Sequence, residues 1–388
     1  VREQVKSVIA DLRVQRAFRF ISEHESEIEA DQVRLTLIPA PPFGEGPRGE
    51  AFAEELRKIG LTATRDEIGN VVAPFENFGS RPLVIGAHLD TVFPRETPLE
   101  LRRKDKILFL PGISDNGCGL VALLWTLRAA REAGIRFQKP VIGVGSVGEE
   151  GEGNLRGVRH IFQTAAWASR DCQFVALDVG SFQRITHQAL GSRRFRIRMT
   201  GPGGHSWADF GRPNPVHAMA TAIHTFVMRC ASRPSGTSFN VGLIRGGISV
   251  NAIPTEALIE VDLRSTTFIN LAELNDQLQR ALSEAAAAAH VECRIDMIGE
   301  RPSGVTSTET DIVQAALEAT RQFGGDPVLD IGSTDANIPM SMGIPAIALG
   351  GGGRSGNTHT PQEWFDPANR ALGLQRLLVL MGVLAGLG

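Results

Sequence analysis

The strongest constraint on the fold is a set of short apolar runs, each closing on a side chain that can hold a metal ion or a proton. Pro82-Leu83-Val84-Ile85-Gly86-Ala87 leads into His88-Leu89-Asp90, Val141 to Gly148 leads into Glu149-Glu150, and Phe174-Val175-Ala176-Leu177 leads into Asp178. Ala346-Ile347-Ala348-Leu349 opens into glycines followed by Asn357-Thr358-His359, and Ile113-Ser114 delivers Asp115 to the start of an apolar helix over 119–130. Continuous apolar runs of this length read as strands buried on both faces, with the intervening helical patterns supplying the cover. The expected fold is α/β, a mainly parallel sheet sandwiched by helices. Ligands of such sheets bind outside the carboxyl ends of the strands, so His88, Asp115, Glu149, Glu150, Asp178 and His359 should converge there. Two histidines with three or four carboxylates in one crevice point to two metal ions and hydrolysis.

A chain of 388 residues exceeds what one core usually supports, so two domains are expected. The formal net charge of −3, from 40 basic against 43 acidic residues, gives no electrostatic case for nucleic acid or a membrane as partner. A small substrate is the expectation. Cys118, Cys172, Cys230 and Cys293 are scattered without a Cys-x-x-Cys pair, which fits reduced thiols in the cytoplasm. The amino end lacks the apolar stretch of a signal peptide. No apolar run reaches the ~20 residues that span a bilayer.

The spacing predicts an amphipathic helix from Val1 to about Ala30, then the link Pro39-Ala40-Pro41-Pro42 and a helix from Arg48 to Ile59 stopped by Gly60. Strands and helices alternate to about Gly180. From Arg193 to Thr200 basic and apolar residues alternate, as in a half-exposed antiparallel strand. A helix (215–230), two strands (237–243 and 257–264), a helix (270–289) and a strand (291–298) follow. That βαββαβ order is the ferredoxin-like split unit. It reads as an insert over 192–301, dividing a first domain built from 1–191 and 302–388.

Each ligand candidate also has a plainer reading. Asp115 suits a helix N-cap. Glu149-Glu150 suits a solvated acidic loop, although adjacent carboxylates divide naturally into a metal ligand and a base that takes a proton from metal-bound water. Asp178 suits a turn, and His359 a loop. His88-x-Asp90 has a logic of its own, because a metal-bound histidine needs its other ring nitrogen held by an acceptor. Coincidence at all the strand ends is far harder to accept than any single plain reading.

His88-Leu89-Asp90-Thr91-Val92, Ser114-Asp115-Asn116-Gly117, Gly148-Glu149-Glu150-Gly151, Leu177-Asp178 and Thr358-His359-Thr360-Pro361 resemble the signature set of a di-zinc metallopeptidase family. It is the family of aminoacylase, acetylornithine deacetylase, succinyl-diaminopimelate desuccinylase, glutamate carboxypeptidase and tripeptidase. The resemblance covers nearly the whole chain in the right order, and implies a zinc-exopeptidase-like catalytic domain with an inserted lid and dimerisation domain. It further implies that His88, Asp115 and Asp178 bind one Zn²⁺ while Asp115, Glu150 and His359 bind the other, with Co²⁺ or Mn²⁺ as substitutes. Asp115 would bridge the ions, ~3.5–4 Å apart and sharing a hydroxide. Glu149 would be the general base and Asp90 the partner of His88, and the Asp115-Asn116 peptide is a candidate for cis.

In the insert, Gly201-Pro202-Gly203-Gly204-His205-Ser206 resembles the lid loop whose histidine steadies the oxyanion in the partner subunit of a homodimer. Gly247 to Pro254 and Val261-Asp262-Leu263-Arg264 resemble the segments that bring an asparagine, Asn251, and an arginine, Arg264, to the substrate. A surface histidine and an ion-paired strand arginine are the plainer readings. In the resembled family, aspartate at the place of Asp178 goes with aminopeptidases and dipeptidases. The expected activity is therefore hydrolysis of di- or tripeptides, with N-acyl-amino-acid deacylase or carboxypeptidase as the alternative. A non-catalytic metal-binding or interaction protein is a third reading, against which stands Glu149, a group that a binder does not need.

Overall fold

The computed structural model describes residues 1–168 and 171–388. It contains two units, Val1–Ala189 with Val305–Gly388, and Leu190–Gly304. The smaller unit extends two residues before and three residues after the expected insert 192–301, since the strand Gly191–Thr200 starts before Ser192 and three residues follow the strand Glu292–Arg301 before the division.

In the larger unit the central strands run in the order Val71–Pro74, Val141–Ser146, Leu83–His88, Gln173–Leu177, Ala346–Leu349, Arg184–Ala189. Leu83–His88 is parallel to both its neighbours, and Ala346–Leu349 is parallel to Gln173–Leu177. The antiparallel pairings lie towards the edges, between Val71–Pro74 and Val141–Ser146 and between Ala346–Leu349 and Arg184–Ala189. Both faces are covered, as the continuous apolar runs require. Leu83, Ile85 and Ala87 enter one core with the helices Gly117–Glu132, Asp311–Gln322 and Arg370–Ala385. Val84, Ile142, Val144, Phe174 and Ala176 enter the other, beneath the helix Arg156–Thr164. Side chains alternate along a strand, so His88, Ser146 and Asp178 extend the rows of this second face at the carboxyl end of the sheet.

The amino-terminal helix is three helices, Arg2–Ala10, Leu12–Glu23 and Glu25–Thr36. Asp11 breaks the first: its backbone is extended and its carboxylate accepts the Arg13 N–H at 2.8 Å, capping the next helix. His24 makes the second break, at φ −110° and ψ 27°. Apolar periodicity passes through both breaks, which is why one helix was expected. A small antiparallel sheet of Arg102–Lys104, Ile107–Phe109, Trp364–Asp366 and Arg354–Gly356 carries no periodic signal long enough to be read from the sequence.

The smaller unit is a four-stranded antiparallel sheet in the order Thr237–Gly246, Glu256–Ser265, Gly191–Thr200, Glu292–Arg301, the ferredoxin-like arrangement. Phe195, Ile197, Met199, Ile259, Val261 and Leu263 pack against Met219 and Phe226 of the helix Pro215–Arg229 and Leu274 and Leu278 of the helix Phe268–Ala289. On the opposite face the basic residues meet acids across the strands, Arg194 with Asp262 at 3.3 Å and Arg196 with Glu260 at 2.8 Å. These partly exposed pairs fix register more than they stabilise, at about 0–1 kcal/mol each. Among the described residues no helix is long and apolar enough to cross a membrane.

Candidate metal centre

Three strand ends, at His88, before Glu149-Glu150 and before Asp178, and two turns, at Asp115 and His359, bring the expected groups together. His88 Nε2 lies 3.0 Å from Asp115 Oδ1 and 3.6 Å from Asp178 Oδ1. His359 Nε2 lies 3.1 Å from Asp115 Oδ2 and 3.0 Å from Glu150 Oε1. His88, Asp115 and Asp178 thus form one group with metal-ligand spacing and Asp115, Glu150 and His359 a second, with one oxygen of Asp115 facing each. His88 with Glu149 and Glu150 forms a third such group. His88 Nε2, Asp115 Oδ1 and Asp178 Oδ1 are buried and, among the described residues, have no hydrogen-bond partner of acceptable geometry, despite their closeness. Ligand-type atoms this close need a cation between them, a metal ion or, without one, a proton on His88, so these residues fit a metal.

Local sequence explains each position. Asp115 is not the cap of its helix. Asn116 is, accepting the Gly119 N–H at 3.1 Å while its amide donates to Leu177 O at 2.8 Å. A Cβ on Gly119 would lie 2.7 Å from that carbonyl, so only glycine lets the helix start dock onto the strand end that carries Asp178. The Asp115-Asn116 peptide is cis. Glu149 and Glu150 are 4% and 6% exposed, which rules out a solvated acidic loop.

Asp90 does more than the resemblance implied. Its carboxylate accepts the Glu149 N–H at 2.9 Å and the Glu150 N–H at 2.7 Å, clamping the two strand ends together. The hydrogen bond of His88 Nδ1 goes to the Asp90 carbonyl oxygen at 3.1 Å, with the carboxylate at 3.6 Å. With Nδ1–H donated there, Nε2 is the nitrogen left to face the cluster.

Burial alone would push the His88 ring down, but the carboxylates of Asp115, Asp178 and Asp90 outweigh it and hold its pKa well above the ordinary value. Hydrogen bonds to Asp115 and Glu150 raise His359 to about 10. Burial raises Glu150. In metal-free protein near neutral pH His359 therefore carries a proton that a cation must displace. Metal uptake should acidify an unbuffered solution by up to about two protons per chain, and affinity should fall as pH is lowered. Uptake without proton release, followed by pH-stat titration, would show these histidines to be outside the ligand set. Without metal, the His359 contribution to stability is fully present below the ring's ordinary pKa of about 6.5 and is lost as pH rises through about 10.

Three buried groups around the cluster were not anticipated. Glu363 is fully buried and accepts the N–H groups of Gly112, Ser114 and Asp115, and burial pushes its carboxyl up to about 7. Asp335 accepts the Ser146 hydroxyl at 2.5 Å, and burial raises it to about 6. Arg48, 1% exposed, donates to the carbonyl oxygens of Thr36, Ile38 and Leu89. The one sequence signal was Glu363 in Thr358-His359-Thr360-Pro361-Gln362-Glu363, four residues after a ligand candidate.

His205, Asn251 and Arg264 belong to the smaller unit. His205 pairs in register with Ala252, and the Ser206 N–H donates to Asn251 O at 3.0 Å, so His205 and Asn251 are neighbours. His205 Nδ1 accepts the N–H groups of Trp207 at 3.2 Å and Ala208 at 3.3 Å. The neutral ring therefore carries its proton on Nε2, as a donor. Arg264 is held by Asp262, Nε to Oδ2 at 2.6 Å.

An α/β sheet with a two-histidine, multi-carboxylate cluster at its carboxyl edge, buried at His88, Asp115, Glu149 and Glu150 and open at His359, fits a metal-dependent hydrolase class. Residues 84–381 match peptidase family M20/M25/M40, and the chain belongs to that family of hydrolases. It is 24% identical over 231 residues to carboxypeptidase G2 of Pseudomonas sp. (strain RS-16), covering 57% of this chain but only 55% of that protein. Against acetylornithine deacetylase of Edwardsiella ictaluri (strain 93-146) the identity is 25% over 385 residues, 94% of each chain. The fold is similar to that of a Staphylococcus aureus tripeptidase, with a TM-score of 0.79 at 20% identity, covering 93% of this chain and 98% of the other.

Proposed function

We propose that the chain hydrolyses amide bonds of small peptides, as a di- or tripeptidase of aminopeptidase type, with two zinc ions held by His88, Asp115, Asp178, Glu150 and His359. The observation that supports it most is the pair of ligand groups sharing Asp115, with buried Glu149 beside His88 and Glu150. Two divalent cations there would polarise the substrate carbonyl and make water nucleophilic at neutral pH. Glu149 then takes the proton of the attacking water and returns it to the departing amine. Asp90 keeps Glu149 and Glu150 at their separate tasks by holding both backbone N–H groups. A cavity of ≈ 570 Å³ is lined by Val179, next after Asp178, and by Thr358, just before His359, and has room for a peptide side chain.

Turnover of a panel of di- and tripeptides against N-acetyl amino acids tests the substrate class. Faster cleavage of the peptides is expected. Preference for N-acetyl amino acids would move the reading to deacylase, which the full-length similarity to an acetylornithine deacetylase favours. The four cysteines are unpaired, which supports a cytoplasmic setting.

We also assign His205, Asn251 and Arg264 to the substrate, through a homodimer. Asn251 precedes the extended strand Glu256–Ser265 and Arg264 lies at its far end, roughly 25 Å away. A dipeptide-sized substrate that meets both therefore draws them from two copies of the chain. His205→Ala chains mixed with Glu149→Gln chains should regain activity once subunits exchange, because one site of each mixed dimer has neither defect. Verified mixed dimers that stay inactive would return His205 to the surface reading.

A further inference from the structure

Glu363 lies outside every metal-ligand group among the described residues, yet it is fully buried and its carboxyl group is surrounded by backbone donors. Oε1 accepts the N–H of Ser114 at 2.8 Å and of Asp115 at 2.9 Å, and Oε2 accepts that of Gly112 at 3.0 Å. Its own N–H donates to Thr360 O at 3.0 Å, in the turn that carries His359, and its carbonyl accepts the Leu110 N–H at 3.1 Å. One residue thus joins the loop that presents Asp115 to the turn that presents His359. A plain turn or cap needs one or two of these bonds, not a buried carboxyl group with three backbone donors aimed at it.

We propose that Glu363 is a positioning residue for the metal centre: by gripping Gly112, Ser114 and Asp115 from the His359 turn, it fixes the Asp115 carboxylate at the height where both ligand groups share it. The inference rests on the two-metal reading above. Replacing the carboxylate by an amide turns one acceptor into a donor facing a backbone N–H, so the Asp115 loop must shift. Since Asp115 serves both groups, both ions should loosen together.

The test uses Zn²⁺ and Co²⁺ alone as probes, with competition against a chelating dye for affinity and the visible Co²⁺ spectrum for coordination. Glu363→Gln should weaken both ions by ~10–100-fold and alter the Co²⁺ spectrum, with turnover restored by excess metal. Glu363→Asp, which keeps the charge but falls short by one methylene, should lie between it and the unmodified chain. Asp11→Ala, which removes a helix cap remote from the cluster, should lower the unfolding temperature and leave both metal readouts unchanged. If Glu363→Gln fails to fold, Glu363→Asp carries the test. Unaltered affinities and spectrum in a folded Glu363 variant overturn the positioning role. Failure of the unmodified chain to bind either ion instead overturns the two-metal reading itself.

Discussion

Glu149→Gln should slow amide hydrolysis by ~10²–10⁴-fold or more while leaving metal content intact. The amide keeps the shape of the side chain, and the backbone N–H bond from Glu149 to Asp90 does not depend on it. What disappears is a carboxylate able to take a proton from the attacking water. Glu150→Gln, one residue on, should act differently, because Glu150 Oε1 faces His359 Nε2 in the second ligand group. There the loss should appear first as weaker metal binding. Metal analysis beside turnover separates the two, and the opposite pattern would mean that the roles of Glu149 and Glu150 are exchanged.

Asp115→Asn should have the largest effect on the centre as a whole. Its two oxygens face different histidines, Oδ1 towards His88 at 3.0 Å and Oδ2 towards His359 at 3.1 Å. An asparagine offers one oxygen, and the NH₂ in the other position cannot act as a ligand. The negative charge that both cations would share is also gone. Affinity at both groups should fall by more than the ~10–100-fold typical of losing an outer partner, and activity should drop to background at ordinary metal concentrations. Retention of one tightly bound ion would show that Asp115 serves one group only.

Most of the fold and the ligand cluster were legible in the sequence for a physical reason. Strands buried on both faces cannot avoid continuous apolar runs, and functional side chains of an open sheet gather where those runs end. His88, Glu150 and Asp178 were visible because each stands at such an end or shortly after it, whereas Asp115, in the turn before the helix Gly117–Glu132, and His359, in a turn ten residues after Leu349, were visible through the motifs around them. The groups behind them were not. Glu363 and Asp335 act through contacts spanning 248 and 189 residues of chain, which no local pattern records. Arg48 reads as an ordinary helix arginine until its carbonyl partners are known. The breaks at Asp11 and His24 were hidden for the opposite reason, since capping is local but the apolar stripe continues across it.

The measurement that bears most directly on the central claim is metal titration into exhaustively chelated protein, with hydrolysis of a small peptide amide followed at each step. The stripped chain should be folded and inactive, and activity should return in proportion to bound metal, reaching its plateau near two ions per chain. Full turnover by the stripped chain, or a plateau reached with no bound metal, would contradict a two-metal hydrolase built on Asp115.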